Sequence, residues 1–315
     1  QTIISFIMNL LFSLLLLVLS FFGISTGVSE GFDSGSSTPA YEEPAVSTVT
    51  AGDISQSSGD LVNAAWLSTQ LDNPNLRVVA VAPTSDFQAG HIPGATQVDY
   101  SALEISDTSA TGLNAWESQV SSTLTALGIT PDSTVVVYDY GTHYSPRLWW
   151  VLKQFDQANV YLLDGGFQSW ESSSLAVETG LPQTPPPAAP FDASPDASTT
   201  ADTSAVQAAI GSSGVALVDA RTPGEYAAGH IPGAINIPFT DNYAADGTLL
   251  DIDALTELYA SQGVTPDQAV IVYCSTGIRA SSDVFALEYL AYLNVRLYLG
   301  SYNEWSADPS LPIEK

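Results

Sequence analysis

The chain's one cysteine, Cys274, lies in the run Ala269-Val270-Ile271-Val272-Tyr273-Cys274-Ser275-Thr276-Gly277-Ile278-Arg279-Ala280. The β-branched segment before it has the composition of a buried parallel strand, and Gly277 lets a tight loop fold back around the sulfur. Amides of that loop, and the N-terminus of a helix after it, would aim positive dipole at Cys274. Arg279 would add a full charge. Both effects favour an anionic sulfur and hold an anion beside it. A free cysteine is otherwise a small buried hydrophobe. A packing residue needs no anion cradle, so this loop points to a nucleophile.

Arg147, Arg221 and Arg279 are three of only seven basic residues, and all three fall inside motifs. A site that handles an anionic sulfur donor needs positive charge near the thiol. Arg279 is expected as a clamp on the loop. Arg147, in Tyr144-Ser145-Pro146-Arg147-Leu148-Trp149-Trp150, is expected as a second anion contact reaching in from the other half of the chain. Asp219 and Arg221, with Glu225 close behind, suggest a buried ion pair that ties strand ends together. His91 and His230 occur in a repeated turn while the thiol occurs once, so a structural role is expected and a Cys–His protease pairing disfavoured. One cysteine and three scattered histidines give no metal-ligand spacing, and no phosphate loop of the Walker type is present; no cofactor is expected.

The elements that must position these residues come in two copies. Ala89-Gly90-His91-Ile92-Pro93-Gly94-Ala95 recurs as Ala228-Gly229-His230-Ile231-Pro232-Gly233-Ala234, and Gly128-Ile129-Thr130-Pro131-Asp132 as Gly263-Val264-Thr265-Pro266-Asp267. The offsets, 139 and 135 residues, are nearly constant, which marks an internal duplication. Strands are expected at Val78–Val81, Val135–Tyr138 and Val160–Leu163 in the first half. Ala216–Val218, Val270–Tyr273 and Arg296–Tyr298 answer them in the second. Alternation with helical stretches predicts an α/β fold of two domains, each a mostly parallel sheet with helices on both faces. Ligands bind beyond the carboxyl ends of such strands, where Cys274 falls. In the first half its counterpart is Asp139, and the counterparts of Asp219 and Arg221 are Ala80 and Ala82; that half is expected to be inactive.

Residues 60–180 and 204–315 are thus read as the two domains, joined by a Pro-rich linker over 181–203. Ahead of them, 27–59 reads as a Ser/Thr/Pro-rich stalk and 1–26 as a long hydrophobic helix, with twenty uncharged residues from Ile3 to Phe22. Ser5, Asn9 and Ser13 would form a small polar stripe suited to helix–helix contact. A net charge of −27 excludes nucleic acid as a partner. Salt adaptation, an acidic habitat and an extracytoplasmic surface each accommodate that acidity.

Together these motifs resemble the tandem-domain rhodaneses, the thiosulfate and 3-mercaptopyruvate sulfurtransferases, from about Asp60 to Lys315. The resemblance rests on the repeated Gly-His-Ile-Pro-Gly-Ala turns, Pro146-Arg147-Leu148-Trp149-Trp150, Leu163-Asp164-Gly165-Gly166-Phe167 and the ending Gly300-Ser301-Tyr302-Asn303-Glu304-Trp305. It implies an active cysteine in the second domain with an aspartate in its place in the first. It also implies a Cys274 persulfide cradled by the loop amides of Ser275, Thr276, Gly277 and Ile278, attacked by cyanide or a thiol. Arg147 would line the cleft. Ser275 and Thr276 replace the basic pair of thiosulfate-type loops, and Arg279 replaces the threonine of mercaptopyruvate-type loops; the added charge favours thiosulfate as donor. Gln1–Thr26 resembles the mature N-terminus of a type IV pilin-like subunit, with Ser5 where many pilins carry glutamate. A plain membrane anchor and a signal peptide are the other readings. Display outside the cytoplasm, on a membrane or in a self-assembled filament with a rhodanese head, follows from that resemblance as an expectation.

Overall fold

The computed structural model describes residues 59–182, 191 and 195–315. The expected hydrophobic helix at 1–26, the stalk up to residue 58 and the proline run at 183–190 lie outside the described residues. Among the described residues no helix is long and apolar enough to cross a membrane.

The first half runs β1 (Leu61–Val62), α1 (Ala64–Gln70), β2 (Leu76–Val81), α2 (Thr84–Ala89), β3 (Thr96–Val98), α3 (Ala110–Ala126), β4 (Thr134–Tyr138), α4 (Ser145–Gln154), β5 (Val160–Leu163) and α5 (Gly166–Ser172). The second repeats it with β6 (Thr200–Ala201), α6 (Thr203–Ala209), β7 (Val215–Asp219), α7 (Pro223–Ala228), β8 (Ile235–Asn236), α8 (Ile252–Ser261), β9 (Ala269–Tyr273), α9 (Ala280–Tyr289), β10 (Val295–Tyr298) and α10 (Ser301–Ala307). The strand orders β1-β5-β4-β2-β3 and β6-β10-β9-β7-β8 are the same path twice, with every pairing between these strands parallel. All six strands expected from their apolar runs form, because a strand covered on both faces gains from every β-branched side chain. One boundary differs. The stretch expected as linker over 181–203 ends in β6, which pairs with β10 through Leu297↔Thr200 and Tyr298↔Ala201. Two residues of edge strand carry no apolar run by which to be seen.

Each sheet has its own small core on its outer face. The inner faces share one large core: Val79, Val137 and Leu152 of the first half belong to the same apolar cluster as Val218, Val272 and Leu287 of the second. Trp149 of α4 meets Phe285 of α9 edge to face at 4.9 Å. Aromatic burial of this size binds the halves as a domain core would, and it brings α4 and its arginine to the end of β9.

Candidate active site

β9 is buried on both faces and stops at Tyr273; Cys274 opens a loop that ends where α9 begins. The thiol is 1% exposed, and its Sγ accepts the Gly277 N–H at 3.1 Å. Gly277 sits at φ +86°, a conformation strained for any side chain, with the Leu299 carbonyl and Arg147 Nη1 at contact distance of where a Cβ would stand. Ser275 and Thr276 are half-buried on this loop and Ile278 is buried beneath it. The start of α10 holds the loop from the other side. Tyr302 and Asn303 donate their N–H groups to the Cys274 and Ser275 carbonyls at 2.9 and 3.1 Å. The Cys274 N–H donates to Ser301 Oγ at 3.3 Å.

Arg147 arrives from the first half, as expected. It is fully buried, lies over the Trp150 ring at 4.7 Å, and donates from Nε and Nη2 to the Leu103 carbonyl at 3.1 and 2.8 Å. Its Nη1 has no hydrogen-bond partner and faces the Gly277 loop. Burial pushes the guanidinium down to about 10, against the opposing pull of Cys274 and Glu104. A buried, half-satisfied cation beside a thiol is suited to a small anion.

Arg279, expected as a clamp on the loop, holds Ser275 Oγ at 2.7 Å and is itself bonded to Glu225 through both terminal nitrogens at 2.9 and 2.8 Å. Arg279, then the Thr222 hydroxyl and amide, hold the Glu225 carboxyl far below the usual carboxylate range despite its partial burial. Glu225 also closes a capping box with Thr222 at the start of α7. The sequence motif Thr222-Pro-Gly-Glu225 marks that cap, yet nothing in it announces a partner 54 positions away.

Asp219 and Arg221 form the expected buried ion pair, at 2.6 Å. Burial pulls the Arg221 pKa down, and the bond and charge of Asp219 more than reverse this, so it ends raised. The pair joins the end of β7 to the Gly229 carbonyl at 2.8 Å, with Tyr302 stacked on the guanidinium at 3.8 Å. It braces the segment that grips Cys274 and does not touch the sulfur loop itself. His91 and His230 are structural twins: each Nδ1 lies 2.9–3.0 Å from the carbonyl four residues back, and each ring stacks on Phe87 or Tyr226. Beneath the thiol loop, on α9, Asp283 is fully buried with the Tyr259 hydroxyl and Asn242 amide donating to Oδ1 and with Oδ2 unpartnered; burial pushes it up to about 8.

Two rhodanese-like domains match the chain, at residues 63–173 and 202–308. It is 30% identical over 275 residues to the 3-mercaptopyruvate sulfurtransferase of Escherichia coli, covering 80% of this chain and 97% of that one. It is 32% identical over 274 residues to the thiosulfate sulfurtransferase of Corynebacterium glutamicum, covering 81% and 90%. The crystal structure of SseA from Escherichia coli, a 3-mercaptopyruvate sulfurtransferase, superposes with a TM-score of 0.68 at 29% identity, covering 77% of this chain and 98% of that one. The chain belongs to the rhodanese family and is a sulfurtransferase.

Proposed function

We propose that this sulfurtransferase carries sulfur as a persulfide on Cys274, taken from a small anionic donor and passed to cyanide or a thiol. The observation that carries the reading is the unequal use of the loop. Cys274 Sγ takes the Gly277 N–H, while the amides of Ser275, Thr276, Ile278 and Arg279 find no acceptor among the described residues. Amides left without an acceptor in the loop that holds a buried thiol suit a second sulfur bearing negative charge. The Cys274 thiolate attacks the donor's terminal sulfur, and that sulfur's bond to the rest of the donor breaks. From thiosulfate the leaving group is sulfite; from 3-mercaptopyruvate it is the enolate of pyruvate, which takes a proton. Attack of cyanide or a thiolate on the outer sulfur then releases thiocyanate or a new persulfide and returns the Cys274 thiolate.

The sequence lean toward thiosulfate treats Arg279 as free charge. Glu225 compensates it, and Arg147 then remains the cation beside the sulfur without an ion-pair partner among the described residues. One free cation favours a singly charged donor, so 3-mercaptopyruvate is proposed as the better substrate and thiosulfate as the slower. Comparing kcat/KM for the two donors tests this; faster use of thiosulfate would return the sequence expectation.

The same proposal has Gln1–Thr26 display the enzyme outside the cytoplasm, as a membrane anchor or as the core helix of a filament. The uncharged run from Ile3 to Phe22 supports it. Deleting Gln1–Thr26 is expected to move the protein from the membrane or filament fraction to the soluble one at unchanged specific activity. An unchanged distribution would remove the display reading.

A further inference from the structure

The duplication offers an internal control for every residue around the thiol. Counting from Asp139 and Cys274, Gly166 of the first half answers Ser301 of the second. Both backbones turn left-handed there, at φ +54° and +52°. Both are followed by the same bond: Phe167 donates to the Asp139 carbonyl and Tyr302 to the Cys274 carbonyl, each at 2.9 Å. Glycine takes this conformation freely, whereas serine is strained in it. A Cβ on Gly166 would lie 2.6 Å from the Asp139 carbonyl oxygen, so the first half fills the position with the residue geometry demands. The active half does not. It keeps a fully buried side chain in a strained backbone, and that side chain's Oγ accepts the Cys274 N–H at 3.3 Å while donating to the Tyr298 carbonyl at 2.9 Å.

We propose that Ser301 is a positioning residue for sulfur transfer: its hydroxyl anchors the Cys274 amide to the end of β10 and so fixes the sulfur against the loop that cradles it. This rests on the reading of Cys274 as the sulfur carrier. The Cys274 carbonyl is pinned by Tyr302 and its amide by Ser301, so the peptide groups on both sides of the Cα are held from one short segment. Without the hydroxyl, only the carbonyl side remains fixed. The sulfur then samples positions away from the Gly277 N–H, where an anionic sulfur is less stabilised. The backbone strain at Ser301 is the cost of placing an acceptor where glycine has none. Arg147, Arg279 and Tyr144, the ionisable groups that face the thiol, stay in place.

Two variants separate the hydroxyl from the strain. Ser301→Ala removes the hydroxyl and keeps the strained conformation; Ser301→Gly removes both. Steady-state kinetics, melting temperature and the pH profile of Cys274 alkylation are measured on each. Losing one ordinary hydrogen bond should lower kcat by roughly three- to tenfold in both variants, with KM for the donor within about twofold. Alkylation should shift to higher pH in both. Ser301→Gly should melt above Ser301→Ala, because only it relieves the strain. Kinetic losses that instead track melting temperature, with Ser301→Gly near wild type, would show that Ser301 is structural only. An unmoved alkylation profile in both variants would also overturn the proposal. Alkylation reads the thiol directly, so it decides the role of Ser301 even if Cys274 proves to carry no sulfur.

Discussion

The Asp139 loop and the Cys274 loop occupy the same place in two copies of one fold, at the end of β4 and of β9. In the first, the carboxylate accepts three N–H groups, from Gly141 at 2.9 Å, Thr142 at 3.1 Å and Ser145 at 2.8 Å. In the second, the sulfur accepts one, from Gly277. The Asp139 carboxyl takes up the N–H groups of the first loop; on the proposed function, the thiol leaves those of the second to an anion that arrives with substrate. Around them the contrast continues, since Ala80 and Ala82 stand where Asp219 and Arg221 brace the second half. Duplication supplied two loops of one build, and the proposed function has the side chain at their centre decide which one is structure and which is chemistry.

The sharpest way to break that comparison is Cys274→Ser, which should abolish sulfur transfer to cyanide at an unchanged melting temperature. Placing a thiol in the other cradle, as Asp139→Cys in the Cys274→Ser background, should restore nothing. Measurable transfer there would mean that the cradle alone suffices. Asp139→Ala should instead act on stability: it strands three N–H groups, one of them in a buried bond, and should cost about 3 kcal/mol in chemical denaturation.

A smaller effect sharpens the electrostatic side. Glu225→Gln leaves Arg279 uncompensated, so kcat/KM for thiosulfate should rise against that for 3-mercaptopyruvate by roughly tenfold, about the value of one charge-assisted contact. An unchanged ratio would show that Arg279 does not meet the donor. The smallest effect concerns Asp283. Its folded-state pKa is raised from 3.8 to about 8, so the fold favours the neutral acid. The resulting stability is fully present below pH 3.8, declines as pH rises, and is lost above about pH 8. Asp283→Asn should therefore raise the melting temperature by on the order of 5 °C near pH 9 and hardly at all near pH 4. An equal change at both would assign the difference to packing.

The six strands with apolar runs, the duplication and Cys274 were legible in the sequence because each leaves a local mark: β-branched runs, repeated turns, a lone thiol before a glycine. Arg147 was legible for the same reason, carried by a motif of its own. Glu225 was not, because its bond to Arg279 spans 54 positions and is made only when α7 meets the thiol loop. Ser301 was hidden in another way. Its chemistry depends on a backbone angle of +52° that serine rarely adopts and that no residue pattern encodes. The strand β6 escaped because two residues, Thr200 and Ala201, are too few to show a period.

Intact-mass and peptide mass spectrometry after brief treatment with each donor most directly tests the central claim, that Cys274 is the sulfur carrier. One added sulfur atom is expected on the peptide containing Cys274, removed again by cyanide with release of thiocyanate, and absent in Cys274→Ser. A chain that turns over either donor while this peptide gains no sulfur would contradict it.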